Sequence, residues 1–523
     1  MTQQKSERRI VSHARRKSRK TASIESLRGE KATSVKQQTG QLELGFKTAE
    51  FPKTRVRGVN GGVAAGRSAA KPCVTPKLKH KRQTIQSATI EAVCNNLDEA
   101  FCNVASNKGA SGPDRQSIDD VRKHWSILRR ELASALRDGT YEPGNIRRVW
   151  IPKSGGGERG LGIPNVADRV ISEAVRLVLE PMYEPTFHAS SHGFRPGRSC
   201  HTAIAQAKEY LEDGYEYVVD LDLEKFFDRV NHQRLIAKLA ERAEDKSLIV
   251  LIGKMLKAKV VMPDGVVVSN DEGVPQGGPL SPLLSNVVLD ELDRELAQRG
   301  HRFVRYADDC NIYVRSERAG KRVMASVVAF IERRMRLKVN MAKSAVAKPE
   351  ERHFLGFSLT REPTTGDVQV LLSKRSQDRL CSRIRELTPR NWGSSLDACI
   401  RKLNEYSVGW LGFFGICTPG IERKLSNHDA HIRRRLRALL LKDWKTKRTA
   451  ARKLIALGVK ATTAWRNIYS GHKSLWALAH TPAVDRGLRN AYFAKRGLIS
   501  LLEKWTTDAR YIAAPVQLTL ALG

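Results

Sequence analysis

Residues 303–314 read FVRYADDCNIYV: two runs of apolar and β-branched residues meet at a pair of adjacent aspartates, Asp308 and Asp309. Such runs pair as antiparallel strands, and Ala-Asp-Asp between them predicts a hairpin that presents both carboxylates at a strand end. A second strand-like stretch, VVDLDLEKFF, carries Asp220 and Asp222 two residues apart and so on one face. Helix formers such as KRVMASVVAFIERRMRL alternate with these runs, which is α+β organisation. Adjacent carboxylates repel, and the cluster has two readings. It is a polar turn, in which Asp is common, or a site for hard cations such as Mg²⁺, held by a few carboxylates together with substrate phosphates. Two such ions can activate a hydroxyl and stabilise a departing pyrophosphate.

Charge distribution narrows the partner. The 523 residues carry 91 Lys and Arg against 55 Asp and Glu, a formal net charge of +36, which favours a polyanion, with a membrane surface as the second choice. Residues 1–82 hold 21 basic and 5 acidic residues, residues 374–505 hold 28 and 9, and the middle is nearly neutral. The first flank is rich in Lys, Arg, Ser, Gly and Gln and reads as a disordered basic arm over 1–83. The second mixes charge with aromatic and aliphatic residues at helical spacing and predicts a basic helical domain over 374–505. Its stripe of Tyr406, Trp410, Phe413 and Phe414 fits helix core, whereas Arg433, Arg434, Arg435, Arg437, Lys442, Lys445, Lys447 and Arg448 cannot all be inside and are expected to form a surface that faces nucleic acid or else is merely solvated. The eight cysteines include no C-x-x-C pair and read as reduced thiols rather than a zinc site or disulfide framework. With no long apolar run and no secretory signal, the expected location is the cytosol, without membrane contact.

Further stretches recur in a fixed order: NKGASGPDRQSID (107–119), RRVWIPKSGGGERGLGIPNVADRVISEAV (147–175), SHGFRPGRSCHTAI (191–204), GVPQGGPLSPLLSNVVLDELD (273–293), LKVNMAKSAV (337–346) and FLGFSL (354–359). With YADD and VVDLDLEKFFDRVNH, they resemble the reverse transcriptases encoded by bacterial group II introns. LNEYSVGWLGFFGI (403–416) and NAYFAKRGL (490–498) are similar to that family's thumb, or maturase, domain. The resemblance covers roughly 84–505. It implies a right-hand polymerase, with fingers and an antiparallel palm sheet over 84–373 and a helical thumb over 374–505, followed by a tail over 506–523.

Residue by residue, the resemblance implies that Asp222, Asp308 and Asp309 are catalytic. They would hold two Mg²⁺ ions with the Leu223 carbonyl, while Asp220 is a neighbour. Phe227 corresponds to the steric gate that favours deoxynucleotides. Lys153 and Arg159 would point at the dNTP triphosphate, Gln276 would lie beside the nucleotide, and Lys343 would stand near the leaving pyrophosphate. Taken from composition alone, the same residues read as a core aromatic, a solvated basic hairpin, a loop-shaping turn and a surface lysine. The resemblance implies RNA-directed DNA synthesis on intron RNA, help in splicing that RNA, and insertion of intron copies into DNA. Its partners would be intron RNA, a DNA target or primer, and dNTPs, with monomer or dimer left open. Few residues follow LLEKWTTDAR, so no endonuclease is expected, and priming from a nascent strand at a replication fork replaces bottom-strand cleavage. A binding-only maturase and a domesticated or defence-associated reverse transcriptase stay open as alternatives, although the intact aspartates argue against the first.

Overall fold

The computed structural model describes residues 88–508 except 153–156, 390–392, 394 and 472–473. The expected arm over 1–83 and nearly all of the expected tail lie outside the described residues. Three sheets organise the chain. The first, in the order β2-β1-β4-β5, joins β1 (Ile146–Pro152), β2 (Glu158–Ile163) and the short strands β4 (Val260–Val261) and β5 (Val267–Val268). The second, in the order β6-β7-β3-β8, joins β3 (Tyr217–Asp222), β6 (Arg302–Tyr306), β7 (Asp309–Val314) and β8 (Ala345–Ala347). All of its pairings are antiparallel. The third is the hairpin of β9 (Phe357–Arg361) and β10 (Val368–Leu372).

The second sheet is covered on both faces, which its side-chain alternation explains. Val219, Leu221, Cys310 and Ile312 enter one core, while Val218, Val304 and Tyr313 enter another. Helix Cys200–Glu212 covers the second face. It starts at a capping box between Ser199 and Thr202 and buries Ala203, Ile204, Ala207, Tyr210 and Leu211 at helical spacing. Helix Ser281–Gln298 belongs to the opposite core, contributing Leu284, Val287, Leu289 and Leu292, with Asn286 and Asp293 also buried along it.

After β10 the described chain is helical, led by Lys374–Leu387, Leu396–Phe414, Glu422–Asp443 and Lys447–Ala456. The aromatic stripe is core, as its spacing predicts. Trp410 is buried, its ring lies 4.9 Å from that of Phe414, and Phe357 of β9 packs 5.6 Å from Phe413 and 5.2 Å from Phe414. One apolar cluster therefore runs from the sheets into the helices. No described helix is long and apolar enough to cross a membrane.

Candidate active site

The β3–β7 register sets Asp222 directly opposite Asp309, and the β6–β7 register sets Tyr306 opposite Asp309. Cross-strand partners share a face, so the two carboxylates stand side by side, with Asp308 next to them in the turn. That turn is tight, since Ala307 adopts a left-handed backbone with φ of 56°. The desolvating walls of the cleft push the Asp309 carboxyl up to about 7, and the charges of Asp308, Asp220 and Asp222 add to the rise. Burial raises Asp308 as well, against the opposing charges of Arg159 and Lys343.

Lys343 approaches Asp222, its Nζ lying 3.2 Å from Oδ2. The Asp222 backbone N–H donates to Ser344 Oγ at 3.0 Å. Asp220 is engaged elsewhere, since Arg352 donates to it through Nε at 2.9 Å and Nη2 at 2.6 Å. Leu223 faces Val339 in an isolated bridge; the flanking bonds use the Asp222 carbonyl and the Glu224 N–H, so neither takes up the Leu223 carbonyl. Among the described residues no three or more His, Cys, Asp or Glu side chains are gathered closely enough to hold an ion unaided. The donors fit a hard cation nonetheless. They are oxygens, their mutual repulsion adds to the burial that raises Asp309, and Mg²⁺ is commonly held by one or two carboxylates with the substrate's phosphates completing the shell.

Sequence reasoning missed the support beneath the turn. Arg305, fully buried, donates through Nε to Asp293 Oδ1 at 2.7 Å and through Nη2 to Asp293 Oδ2 at 2.5 Å. It also donates to the Ala307 carbonyl at 2.9 Å, to Asn286 Oδ1 at 3.1 Å and to Ser191 Oγ at 2.6 Å. One guanidinium thus ties the aspartate turn to helix Ser281–Gln298 and to the loop before helix Cys200–Glu212. In that loop Gly193 lies so close that a Cβ would fall 2.2 Å from the Ala307 nitrogen. Phe194 follows with φ of 60° and an exposed ring 6.5 Å from Tyr306. The available signal for Arg305 was an arginine inside an otherwise apolar strand, VRY. For the loop it was the glycine-, proline- and arginine-rich SHGFRPGRS.

A cleft of about 360 Å³ is lined by Arg148, Trp150, Gly162, Phe227 and Gln276, among others. Two of the expected nucleotide contacts therefore share one cavity. Phe226 is buried beneath Phe227, the rings 5.3 Å apart and edge to face, which leaves Phe227 as the lining residue. The Gln276 loop docks on β2, where Gly162 N–H donates to the Gln276 carbonyl at 2.7 Å. Gly277 permits this contact, because it has φ of 122° and a Cβ there would meet the Gly162 oxygen at 2.5 Å. Arg159 of β2 comes near enough to act on Asp308, while Lys153 lies outside the described residues.

The basic helical set divides. Lys442, Lys445, Lys447 and Arg448 are exposed, and Arg433 is half-buried. Arg434 stacks on Trp476, 4.1 Å from its ring, and donates to the Trp476 carbonyl at 3.0 Å; Arg435 donates to Thr388 Oγ1 at 2.8 Å. Arg437 corrects the expectation of a solvated surface. It is buried, paired with Asp485, and donates to the Leu488 carbonyl at 3.0 Å. Its charge is used inside the helical domain, because a buried guanidinium needs a counter-charge and acceptors that solvent no longer supplies.

Comparison with known proteins agrees with this geometry. A family model described as reverse transcriptase (RNA-dependent DNA polymerase) matches residues 151–359, spanning β2, the carboxylate sheet and the start of the helical region's apolar seam. A second, the group II intron maturase-specific domain, matches 377–455. Protein YkfC of Escherichia coli (strain K12) is 33% identical over 59% of this chain and 89% of its own length. Group II intron-encoded protein LtrA of Lactococcus lactis subsp. cremoris is 40% identical over 39% of this chain and 34% of its own length. A putative COX1/OXI3 intron 2 protein of Saccharomyces cerevisiae is 26% identical over 69% of this chain and 48% of its own length. The chain thus spans most of one of these relatives and half or less of the other two. An aspartate-bearing polymerase sheet and a maturase-specific helical segment, in that order on one chain, make it a member of the group II intron-encoded reverse transcriptase and maturase family.

Proposed function

We propose that this protein copies intron RNA into DNA and, through its helical domain, helps the same RNA reach its splicing-competent fold and spread to DNA. Residues 84–373 serve as fingers and palm and 374–505 as thumb. The observation that carries the copying reading is the register of Asp222 opposite Asp309, with Asp308 in the adjoining turn; Phe227 and Gln276 lining one cleft supports it.

Asp222, Asp308, Asp309 and the Leu223 carbonyl would hold two Mg²⁺ ions, which supply charge neutralisation for the attacking 3′-hydroxyl and the departing pyrophosphate. The chain's own residues do the rest. Arg159 and Lys153 orient the triphosphate, since guanidinium and ammonium groups bind phosphate oxygens with charge-assisted hydrogen bonds. Phe227 closes the space that a 2′-hydroxyl would need, and Gln276 positions the nucleotide. Lys343, 3.2 Å from Asp222, hands a proton to the leaving pyrophosphate once substrate phosphates draw it from the carboxylate.

The test is primer extension on an RNA template, with the Asp308→Ala/Asp309→Ala protein as control. Incorporation by the parent protein and background incorporation by the variant are expected. A parent protein that adds no dNTP would sink the copying reading and leave only binding.

A further inference from the structure

From Trp444 to Val484 the sequence places eight Lys and Arg and not one Asp or Glu. Helix Ala461–Tyr469 lies inside this stretch and buries Ala464 and Ile468. Its other side carries Trp465 and Tyr469, one turn apart, with 37% and 49% of their surfaces exposed. Their ring centroids are 5.5 Å apart at 38°. Lys447, from the preceding helix, sets its Nζ 5.7 Å from the Tyr469 centroid. Large rings ordinarily bury most of their surface, so two adjacent exposed ones form an unpartnered apolar face. The rim of that face decides what covers it. Lys447 at its edge and the acid-free stretch of sequence that carries it match a polyanion and offer an incoming protein's cations no acidic partner.

We propose that Trp465 and Tyr469 are a stacking platform for unpaired bases of RNA, with Lys447 and its basic neighbours facing the flanking phosphates. Stacking on aromatic faces tolerates any base, and a basic groove beside the rings tracks the backbone; together they make a single-strand site. The platform lies beyond the maturase-specific match, which ends at residue 455, and neither ring belongs to the expected RNA contacts. The choice of RNA over DNA rests on the function proposed above.

The test uses the full chain and an unstructured oligoribonucleotide carrying 5-bromouridine, without dNTPs. Equilibrium binding is followed by fluorescence anisotropy, and photocrosslinked peptides are mapped. Crosslinks within 461–469 are expected. Trp465→Ala should weaken binding roughly 10-fold with an unchanged salt slope, and Trp465→Phe should restore most of it. Lys447→Ala should instead lower the slope by about one. Thermal melting of each variant shows whether the fold is kept, and Tyr469→Ala gives a second probe if Trp465→Ala unfolds. Crosslinks confined to other segments would overturn the platform. So would a Trp465→Ala affinity within twofold of the parent, or loss of self-association in place of RNA binding; an equal loss on a DNA strand of the same sequence would overturn the assignment to RNA. If the parent protein binds this RNA through Trp465 yet extends no primer, the copying reading falls and the platform stands.

Discussion

Two residues carry more of the site than their position in the chain announces. Arg305 uses its whole hydrogen-bonding fork on Asp293, Asn286, Ser191 and the Ala307 carbonyl, so it both neutralises a buried aspartate and pins the aspartate turn. Asp293→Asn would leave that guanidinium buried without its counter-charge, and a loss of about 3–5 kcal/mol in urea unfolding is expected. His192, beside this network, has both ring nitrogens engaged, by Thr202 at 2.9 Å and Gln206 at 2.7 Å. Burial lowers its pKa from 6.5 to about 4, against the Gln206 hydrogen bond and with help from nearby arginines. The folded protein therefore keeps His192 neutral while the unfolded chain takes up a proton, so stability is full above the unfolded value and falls as pH drops through 6.5 toward 4. The difference corresponds to roughly 3 kcal/mol at its limit. His192→Gln should flatten this acid limb, which denaturant titrations at neutral and mildly acid pH would show.

At the scale of elements, the aspartate hairpin is seated by neighbours that fit it without side chains in the way. The loop before helix Cys200–Glu212 reaches the turn only as glycine, with no room for a Cβ between Gly193 and the Ala307 nitrogen. Gly193→Ala must displace one backbone or the other. Overpacking of this kind costs about 1–3 kcal/mol, so a lower melting temperature is expected. Nucleotide incorporation should slow more than RNA binding weakens, since the displaced backbone carries Asp308 and Asp309; equal losses in both would count against a positioning role for the loop. The same logic joins β2 to the Gln276 loop at Gly162 and Gly277, which fixes how the first sheet faces the carboxylates.

Across the whole molecule, an α+β body and a basic helical region share one apolar seam through Phe357, Phe413 and Phe414. Among the described residues, positive charge then sorts into cations that hold the fold and cations exposed at the surface. Lys445 and Arg448 are exposed, and replacing each by Ala should reduce the salt slope of RNA binding by about one without lowering the melting temperature. Arg437→Ala should do the reverse, destabilising the helical domain by stranding Asp485 while the slope holds. A melting point unmoved by Arg437→Ala would contradict this division.

Local patterning was enough for much of this. The alternation in FVRYADDCNIYV and VVDLDLEKFF is read by each strand on its own, and the aromatic stripe declares a buried helix face through its 3.6-residue period. The sequence by itself therefore determined an α+β body, a helical basic flank and a carboxylate cluster at a hairpin tip. It could not say that Asp222 faces Asp309, because register is settled between strands 87 residues apart, nor that Arg352 withdraws Asp220 from the cluster. It could not tell Arg437 from Arg448, because both are basic residues on amphipathic helices and only a partner 48 residues away makes one of them interior. Tertiary structure decided which charges are buried, since burial depends on the counter-charge and acceptors that distant segments bring to a given position.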